Sequence, residues 1–118
     1  MLKIGTDIVE IERIQNAMKR PRFLKRYFTT NEIKLISMKG YNTAAANWCA
    51  KEAVSKALCT GFSKFGPIDI EILRDDTGAP YVILYKNALN LYNLLGLTKI
   101  SISLSHSKNY AVATVILY

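Results

Sequence analysis

The sequence lacks the features that mark several large classes of protein. No apolar run approaches the length of a membrane-spanning helix, and the first residues show no charged and then apolar signal pattern. Internal repeats, low-complexity tracts and a glycine-rich phosphate loop are also missing. These absences predict a soluble, cytoplasmic protein.

Cysteine and histidine are scarce. Cys49 and Cys59 lie ten residues apart on one predicted helix, a separation of about 15 Å that is beyond disulfide reach. We expect both to be free thiols in a reducing compartment. His106 is the only histidine, and no metal-binding cluster accompanies it. As an isolated residue it is therefore more typical of a structural role.

Acidic residues are outnumbered, since 9 Asp and Glu against 16 Lys and Arg give a formal charge of +7. This charge predicts attraction to nucleic acid, an anionic membrane, or an acidic protein or phosphate-rich substrate. A small nucleic-acid binder stays open as an alternative, although no recognition motif for nucleic acid is present. The basic residues crowd one early region, which contains Arg13, Lys19, Arg20, Arg22, Lys25, Arg26 and Lys34.

Length and composition bound the fold. With 118 residues, 50% of them apolar, the chain has room for one domain over 1–118 and one sizeable core. The predicted elements indicate an α+β fold, in which a mostly antiparallel sheet packs against a long central helix and shorter helices. The predicted strands are 2–9, 68–72, 80–85, 100–105 and 110–117, and the predicted helices are 11–18, 30–38, 47–61 and 87–95.

Some of these elements carry more specific predictions. Thr29 and Glu32 have the spacing of a capping box at a helix start, and Thr43 is available to cap the long helix. Strict alternation over 68–72 predicts a strand with one face in water. The apolar strand 110–117 is expected at the centre of the sheet.

The predicted helix from Asn47 to Gly61 is the most informative stretch of the chain. Its polar side carries Glu52, with Trp48 and Lys56 on the same side. A tryptophan there is expected to be covered by another part of the fold, a partner chain or a ligand. The apolar stripe consists of Ala50, Ala53, Val54, Ala57 and Leu58, and Thr60-Gly61 is the expected stop.

Two interpretations of Glu52 and Lys56 are open. At i,i+4 spacing they form an ordinary surface pair, which contributes about 0.2–0.5 kcal/mol. Together with the Ser55 hydroxyl, they also supply a metal ligand, a hydrogen-bonding group and a cation, which is a combination that suits a phosphate ester. Periodicity alone favours the surface pair.

Asp7 is an anomaly because it is a carboxylate inside an apolar strand. Gly5 precedes it on the same face, where a missing side chain lets a ligand or another backbone approach closely. Asp7 is either a capping or turn residue, or a buried carboxylate that needs a cation or hydrogen-bond donors.

Several separated pieces of the chain, taken together, carry a specific similarity. They are Gly5–Ile14, Arg26–Glu32, Trp48–Gly61, Ser103–Ser107 followed by Tyr110–Ala113, and the hairpin Asp69–Pro80. Taken in their order along the chain, they resemble the holo-acyl-carrier-protein synthases, the small phosphopantetheinyl transferases, over nearly the whole chain. The resemblance implies the phosphopantetheinyl transferase fold. It also implies transfer of 4′-phosphopantetheine from coenzyme A to a serine of apo-acyl carrier protein, with release of adenosine 3′,5′-bisphosphate, for fatty acid biosynthesis.

The resemblance further implies roles for individual residues. Asp7 and Glu52 match the family's two carboxylate ligands of Mg²⁺ and are catalytic together with Lys56, which lies by the pyrophosphate. The proton of the attacking serine goes to Glu52, Asp7 or a metal-bound water, and we favour the water or Glu52. The residues expected to contact coenzyme A are Lys56, Ser55, His106 and Gly61.

Partners and assembly follow from the same resemblance. The family holds an acidic helix of the carrier protein with a basic region, which explains the net charge without nucleic acid or membrane. The family is trimeric with coenzyme A at the subunit boundary, so a homotrimer with active sites at its interfaces is expected. The matching residues of the basic region are Arg13, Arg20, Arg22 and Arg26.

The chain departs from the family pattern at a few positions. Asn47 stands where an arginine that contacts a coenzyme A phosphate is usual, so one cation is missing. Weaker coenzyme A binding is expected unless another lysine substitutes. Cys49 and Cys59 stand where alanine and glycine are usual.

Overall fold

Five α-helices and two antiparallel sheets form the structure, a computed structural model that describes residues 1–118. The larger sheet has the order β1-β5-β4, and β2 and β3 form a separate hairpin. None of the helices combines the length and the apolar character that a membrane crossing requires. The elements are β1 (Lys3–Glu10), α1 (Ile11–Ala17), α2 (Phe23–Tyr27), α3 (Thr30–Lys39), α4 (Tyr41–Ala57), β2 (Ile70–Arg74), β3 (Pro80–Leu84), α5 (Lys86–Leu94), β4 (Ile100–His106) and β5 (Tyr110–Leu117).

The predicted α+β architecture is confirmed, with the strands divided between two sheets. The apolar strand β5 is the central strand of the larger sheet, as predicted. The capping box at the start of α3 is also confirmed, because Thr29 accepts a hydrogen bond from the Glu32 backbone and Glu32 accepts one from the Thr29 backbone.

Helix α4 lies against β1 and β5 at the centre of the core. The predicted apolar stripe is buried, and its small side chains let the helix come close to the sheet. At Gly5 the two backbones meet, since a Cβ added there would lie 1.9 Å from the carbonyl oxygen of Ala53. The close approach predicted at Gly5 is therefore made by backbone.

Both ends of α4 differ from the prediction. The helix begins at Tyr41, directly after Gly40, and no side chain caps it, so the predicted cap at Thr43 is wrong. Gly40 has φ of 95°, a conformation that lets α3 stop and α4 start without a loop between them. The helix ends at Ala57, and the first left-handed residue beyond it is Cys59, not Gly61.

The prediction that one face of 68–72 is open to water is wrong. Glu71, which lies on that face, is 2% exposed. It accepts hydrogen bonds from the hydroxyls of Thr29 and Tyr85. Residues 68 and 69 belong to a 3₁₀ turn, and the strand begins at Ile70. Within the strand both Ile70 and Glu71 are buried, because helices α3 and α4 contact β2.

The outer face of the larger sheet carries apolar residues that nothing covers. Ile4 and Ile8 of β1 are 63% and 60% exposed, although they belong to a sheet whose other face is packed against α4. The register places them beside outward residues of β5 and β4. Among those neighbours are the serines Ser101, Ser103 and Ser105, which are all exposed.

Candidate active site

Asp7, Glu52 and Lys56 meet where β1 crosses α4. Strand β1 contributes Asp7, and the other two side chains lie one turn apart on the helix. Lys56 Nζ donates to Asp7 Oδ1 over 2.9 Å and to the Thr6 carbonyl oxygen over 3.1 Å. The alternative surface pair between Glu52 and Lys56 does not form, because Lys56 reaches across to the strand.

The two carboxyl groups influence each other. Partial burial of Glu52, then the hydrogen bond that its protonated carboxyl would donate to Asp7, and the negative charge of Asp7 raise the pKa of Glu52 to about 6. The positive charges of Arg13 and Lys56 act in the opposite direction. The hydrogen bond to Asp7 raises the pKa of Lys56, so its ammonium stays charged at neutral pH. Asp7, Glu52 and Lys56, which we call the carboxyl cluster, can therefore take up a proton or a cation at Glu52.

Asp7 keeps one oxygen unused. Its Oδ2 is buried and has no hydrogen-bond partner, although an unsatisfied buried polar group costs about 1–3 kcal/mol, and more if charged. Mg²⁺ is usually bound by one or two carboxylates and completes its shell with water and substrate phosphates. No group of three or more His, Cys, Asp or Glu residues could hold a metal. Two adjacent carboxylates with a free oxygen fit the Mg²⁺ ligand set.

Ser55 does not lie on the polar face as predicted. Its side chain is buried, and its hydroxyl donates to the backbone carbonyl of Glu52 over 2.7 Å. A serine bonded back to its own helix in this way has no free hydroxyl to offer a phosphate. Gly61 lies beyond the helix end that carries Lys56, where it begins a short 3₁₀ turn.

Both cysteines are free thiols, as predicted. Cys49 is buried beneath the carboxyl cluster, and burial together with the charge of Asp7 raises its pKa to about 12. Cys59 is exposed just past the end of α4. Neither residue forms part of a metal-binding group.

The four arginines predicted to bind a partner line one groove of about 560 Å³. We call it the arginine groove, and its aromatic lining consists of Phe23, Tyr27 and Trp48. It adjoins the carboxyl cluster, because the charge of Arg13 acts on Glu52. The arginines are Arg13, Arg20, Arg22 and Arg26.

Trp48 is covered in part by the chain itself, and its remaining exposed surface lines the arginine groove, where a partner chain or a ligand stays a prediction. Its ring centroid lies 5.3 Å from that of Tyr27 and 6.3 Å from that of Phe62. Its indole N–H is buried without a partner. Phe23 and Tyr27 of α2, together with Trp48 of α4, therefore form the aromatic lining of the arginine groove.

His106 lies apart from the carboxyl cluster. It is exposed at the end of β4 and lines a pocket of about 260 Å³, which we call the His106 pocket. Asp7 pairs with Ala113 and Ala113 with Leu104. His106 is thus two strands and two residues from Asp7, a backbone separation of about 12 Å, on the same face of the sheet.

Sequence analysis missed a buried polar network beside these sites. Lys51 and Glu32 form an ion pair of 2.6 Å with both side chains fully buried. Burial lowers the pKa of Lys51 and raises that of Glu32, while the attraction between them opposes both shifts. A signal was present, because Lys51 has the helical spacing of Val54 and Leu58, which belong to the apolar stripe.

Comparisons with known proteins agree with this geometry. The model of the 4′-phosphopantetheinyl transferase superfamily matches residues 3–115. A holo-[acyl-carrier-protein] synthase from Clostridium botulinum (strain Eklund 17B / Type B) is 49% identical over 117 residues, covering 97% of this chain and 94% of that protein.

Solved structures are similar over the whole fold. The holo-[acyl-carrier-protein] synthase from Helicobacter pylori, in complex with coenzyme A, is 34% identical with a TM-score of 0.87, covering 98% of this chain and 99% of that one. A holo-(acyl-carrier-protein) synthase from Bacillus anthracis, in complex with CoA (3′,5′-ADP), is also 34% identical with a TM-score of 0.82, covering 98% and 94%. The predicted fold is thereby confirmed.

Proposed function

This chain belongs to the 4′-phosphopantetheinyl transferase superfamily, and from that premise we propose how its residues perform the reaction. The chain transfers the 4′-phosphopantetheine group of coenzyme A to a serine of apo-acyl carrier protein, giving holo-acyl carrier protein and adenosine 3′,5′-bisphosphate. The observation that carries the assignment of the site is the unpartnered Oδ2 of Asp7 beside Glu52 and Lys56.

Asp7 and Glu52 would hold Mg²⁺ in this proposal. The free Asp7 oxygen supports it. The raised pKa of Glu52 has burial as its largest cause and the charge of Asp7 as a smaller one, so a cation here would stabilise its carboxylate. When bound, the ion neutralises charge on the phosphate oxygens.

Lys56 stabilises the leaving group. Its ammonium has three donors, of which Asp7 and the Thr6 carbonyl take two. The side chain is 55% exposed, so the third donor is accessible to a pyrophosphate oxygen. As the phosphorus–oxygen bond to the nucleotide breaks, Lys56 donates to the departing phosphate oxygen.

Glu52 is the proton acceptor in this scheme. The serine oxygen of the carrier protein forms a bond to the phosphorus that carries the pantetheine arm, and its proton moves to a Glu52 carboxylate oxygen. A general base must lie within hydrogen-bond reach of the proton that it accepts, and Glu52 lies in the same group of side chains as Asp7 and Lys56.

Coenzyme A would run from the carboxyl cluster to the His106 pocket. Lys56 contacts the pyrophosphate, and His106 contacts the nucleotide end. Because the site is expected at a subunit boundary, His106 of a neighbouring copy would complete it. Gly61 is the remaining predicted contact. Its backbone is accessible, because a Cβ added there would meet no atom within 4 Å.

The arginine groove would hold the acidic carrier protein. The four cations of the groove, of which Arg13 lies near Glu52, attract an acidic surface and bring its serine towards the reaction centre. Such attraction raises the association rate and weakens with salt. The Arg22→Glu variant should therefore raise KM for carrier protein more than it lowers kcat, with the defect largest at low salt. If Arg22→Glu and the wild type have equal KM values for carrier protein at low and at high salt, the docking is contradicted.

The uncovered outer sheet face supports the expected homotrimer. Exposed Ile4 and Ile8, beside a row of small serines, form a surface that a second and third copy would bury. Ile8→Glu should dissociate the assembly in light-scattering measurements. A wild-type mass equal to one chain would contradict it.

The free thiols support the predicted cytoplasmic location, and fatty acid biosynthesis is the proposed process.

Intact mass spectrometry of apo-acyl carrier protein tests the reaction. Carrier protein is incubated with this protein, coenzyme A and Mg²⁺, with a chelator control. We expect a mass gain equal to the phosphopantetheine arm that chelation abolishes. No gain from a folded protein would contradict the function, and a gain that survives chelation would contradict the metal assignment alone.

A further inference from the structure

A second basic groove lies between α2 and α3, and we call it the lysine groove. It has a volume of about 370 Å³. Lys25 of α2 and Lys34 of α3 supply its positive charge, and no carboxylate lines it. The apolar residues Phe28, Ile33 and Ile68 line it as well. The lysine groove therefore combines an apolar surface with two cations.

The chain does not neutralise these two cations. Both lysines of the groove are exposed, and the two ion pairs of the structure are made by Lys51 and Lys56. Ile68 is 44% exposed, so part of the apolar surface is open to water as well. An apolar surface bordered by unpaired positive charges fits an acidic partner that also presents an apolar side chain.

Helix α2 separates the lysine groove from the arginine groove. At 100° per residue, Lys25 and Phe28 lie on the side of α2 opposite to the residues that line the arginine groove. The Phe28 ring also packs against Phe23 and Trp48, with centroid distances of 5.9 and 6.4 Å. The two grooves therefore share one aromatic cluster, which holds α2 in place between them.

The distance between the grooves is small compared with a protein interface. A helix with its side chains is about 10–12 Å wide. A specific interface covers about 800 Å² on each partner, which is a patch about 28 Å across. A protein docked on the arginine groove is therefore wide enough to cover α2 and to reach the lysine groove.

We propose that the lysine groove is the second half of the docking surface for acidic carrier protein, with Lys25 and Lys34 as specificity-determining residues. The inference rests on the proposed function, which places the carrier protein in the arginine groove. Two basic grooves on either side of one helix select a partner with two acidic patches at the matching spacing. A carrier protein with only the first patch would bind less tightly.

Charge reversal at Lys34 tests this surface against a matched control on the same helix. Lys34→Glu and Lys39→Glu change the net charge equally, and both lysines are exposed on α3, but only Lys34 lines the lysine groove. At low salt we expect Lys34→Glu to raise KM for carrier protein roughly three- to tenfold, and Lys39→Glu to raise it by less than about twofold. KM for coenzyme A should not change in either variant.

The alternative results separate this surface from the reaction itself. Equal KM values for carrier protein in Lys34→Glu and Lys39→Glu would show that only net charge matters, and would overturn the lysine groove while leaving the transferase intact. Wild-type protein that leaves carrier protein unmodified would overturn the proposed function, and this inference with it. Where thermal melting shows that Lys34→Glu is unfolded, Lys34→Gln compared with Lys39→Gln carries the same expected order of KM values.

Discussion

Two lysines on α4 form the two ion pairs of the structure in opposite surroundings. Lys51 and Glu32 lie 2.6 Å apart with neither side chain exposed. Lys56 and Asp7 lie 2.9 Å apart, with the lysine 55% and the aspartate 10% exposed. The lysines are five residues apart on one helix, so the difference comes from what packs around each of them.

Hydrogen bonding separates the two pairs. Lys51 donates to Glu32 and to the carbonyls of Pro67 and Ile70, which uses all three of its donors. The pair at Lys56 leaves one lysine donor and the Asp7 Oδ2 unused. A fully bonded pair holds the fold, whereas an incompletely bonded pair has atoms available for a ligand.

The largest expected effect is on the transfer reaction. It comes from changes around the incompletely bonded pair of Lys56 and Asp7, which we call the open site; the buried pair of Lys51 and Glu32 is the closed site. Glu52→Gln or Asp7→Asn removes a proposed metal ligand, and we expect transfer to fall roughly a thousandfold or more, since a catalytic metal contributes several kcal/mol. Circular dichroism should show an intact fold. The activity readout is the intact mass of carrier protein over time. Full activity in either variant would refute the metal assignment.

The next largest effect is on stability, from a change at the closed site. Lys51→Met leaves Glu32 buried without its partner, and breaking a buried pair in this way costs about 3–5 kcal/mol. Urea denaturation measures the free energy of unfolding directly. The matched control is Lys56→Met, which is the same substitution one and a half turns along α4. Equal losses in the two variants would remove the distinction between the sites.

Lys56→Met should lower the transfer rate more than it lowers stability, whereas Lys51→Met should mainly lower stability. Only the lysine side of this pair is exposed, so the free energy of unfolding should fall by less than in Lys51→Met, where both partners are buried. We expect transfer to fall roughly a hundredfold, because a charged donor to the departing phosphate is lost. Steady-state kinetics with coenzyme A as the varied substrate measures it. A wild-type kcat would show that Lys56 takes no part in the transition state.

The smallest effect concerns the thiols on either side of the open site. A thiol reagent at pH 8 should modify Cys59 rapidly and Cys49 only after unfolding. The folded pKa of Cys49, about 12, lies above its ordinary value of 9.0, so the buried thiol stays protonated and unreactive. Any stability linked to this shift is present below pH 9 and is lost as the pH rises towards 12. Rapid modification of both thiols in native protein would contradict the burial of Cys49.

Local patterns predicted the elements well and their surroundings poorly. The capping box at Thr29 and the central strand β5 depend on neighbouring residues or on continuous apolar character, which the sequence displays. Glu71 looked exposed because alternation separates two faces without telling which of them is covered. Gly40 lies between the predicted helices 30–38 and 47–61, and the positive φ that lets α3 lead directly into α4 is visible only in the structure.

The candidate site divides in the same way. The resemblance indicated Asp7, Glu52 and Lys56, but Lys56 was paired with Glu52 because the contact between Lys56 and Asp7 spans 49 residues. Lys51 was overlooked because charged residues are rarely buried, and only tertiary packing supplies its three acceptors.

The backbone contact at Gly5 sets how closely β1 and α4 approach each other at the carboxyl cluster. Asp7 follows two residues later on the same face, and Glu52 directly precedes Ala53, whose carbonyl meets Gly5. Neither side of that contact has a rotamer to adjust, so main-chain atoms set the spacing of the strand and the helix from which the two carboxylates extend. Mg²⁺ and Ca²⁺ differ by about 0.3–0.5 Å in their distance to oxygen. A side chain at position 5 would move β1 away from α4, and the two proposed metal ligands would move apart with them.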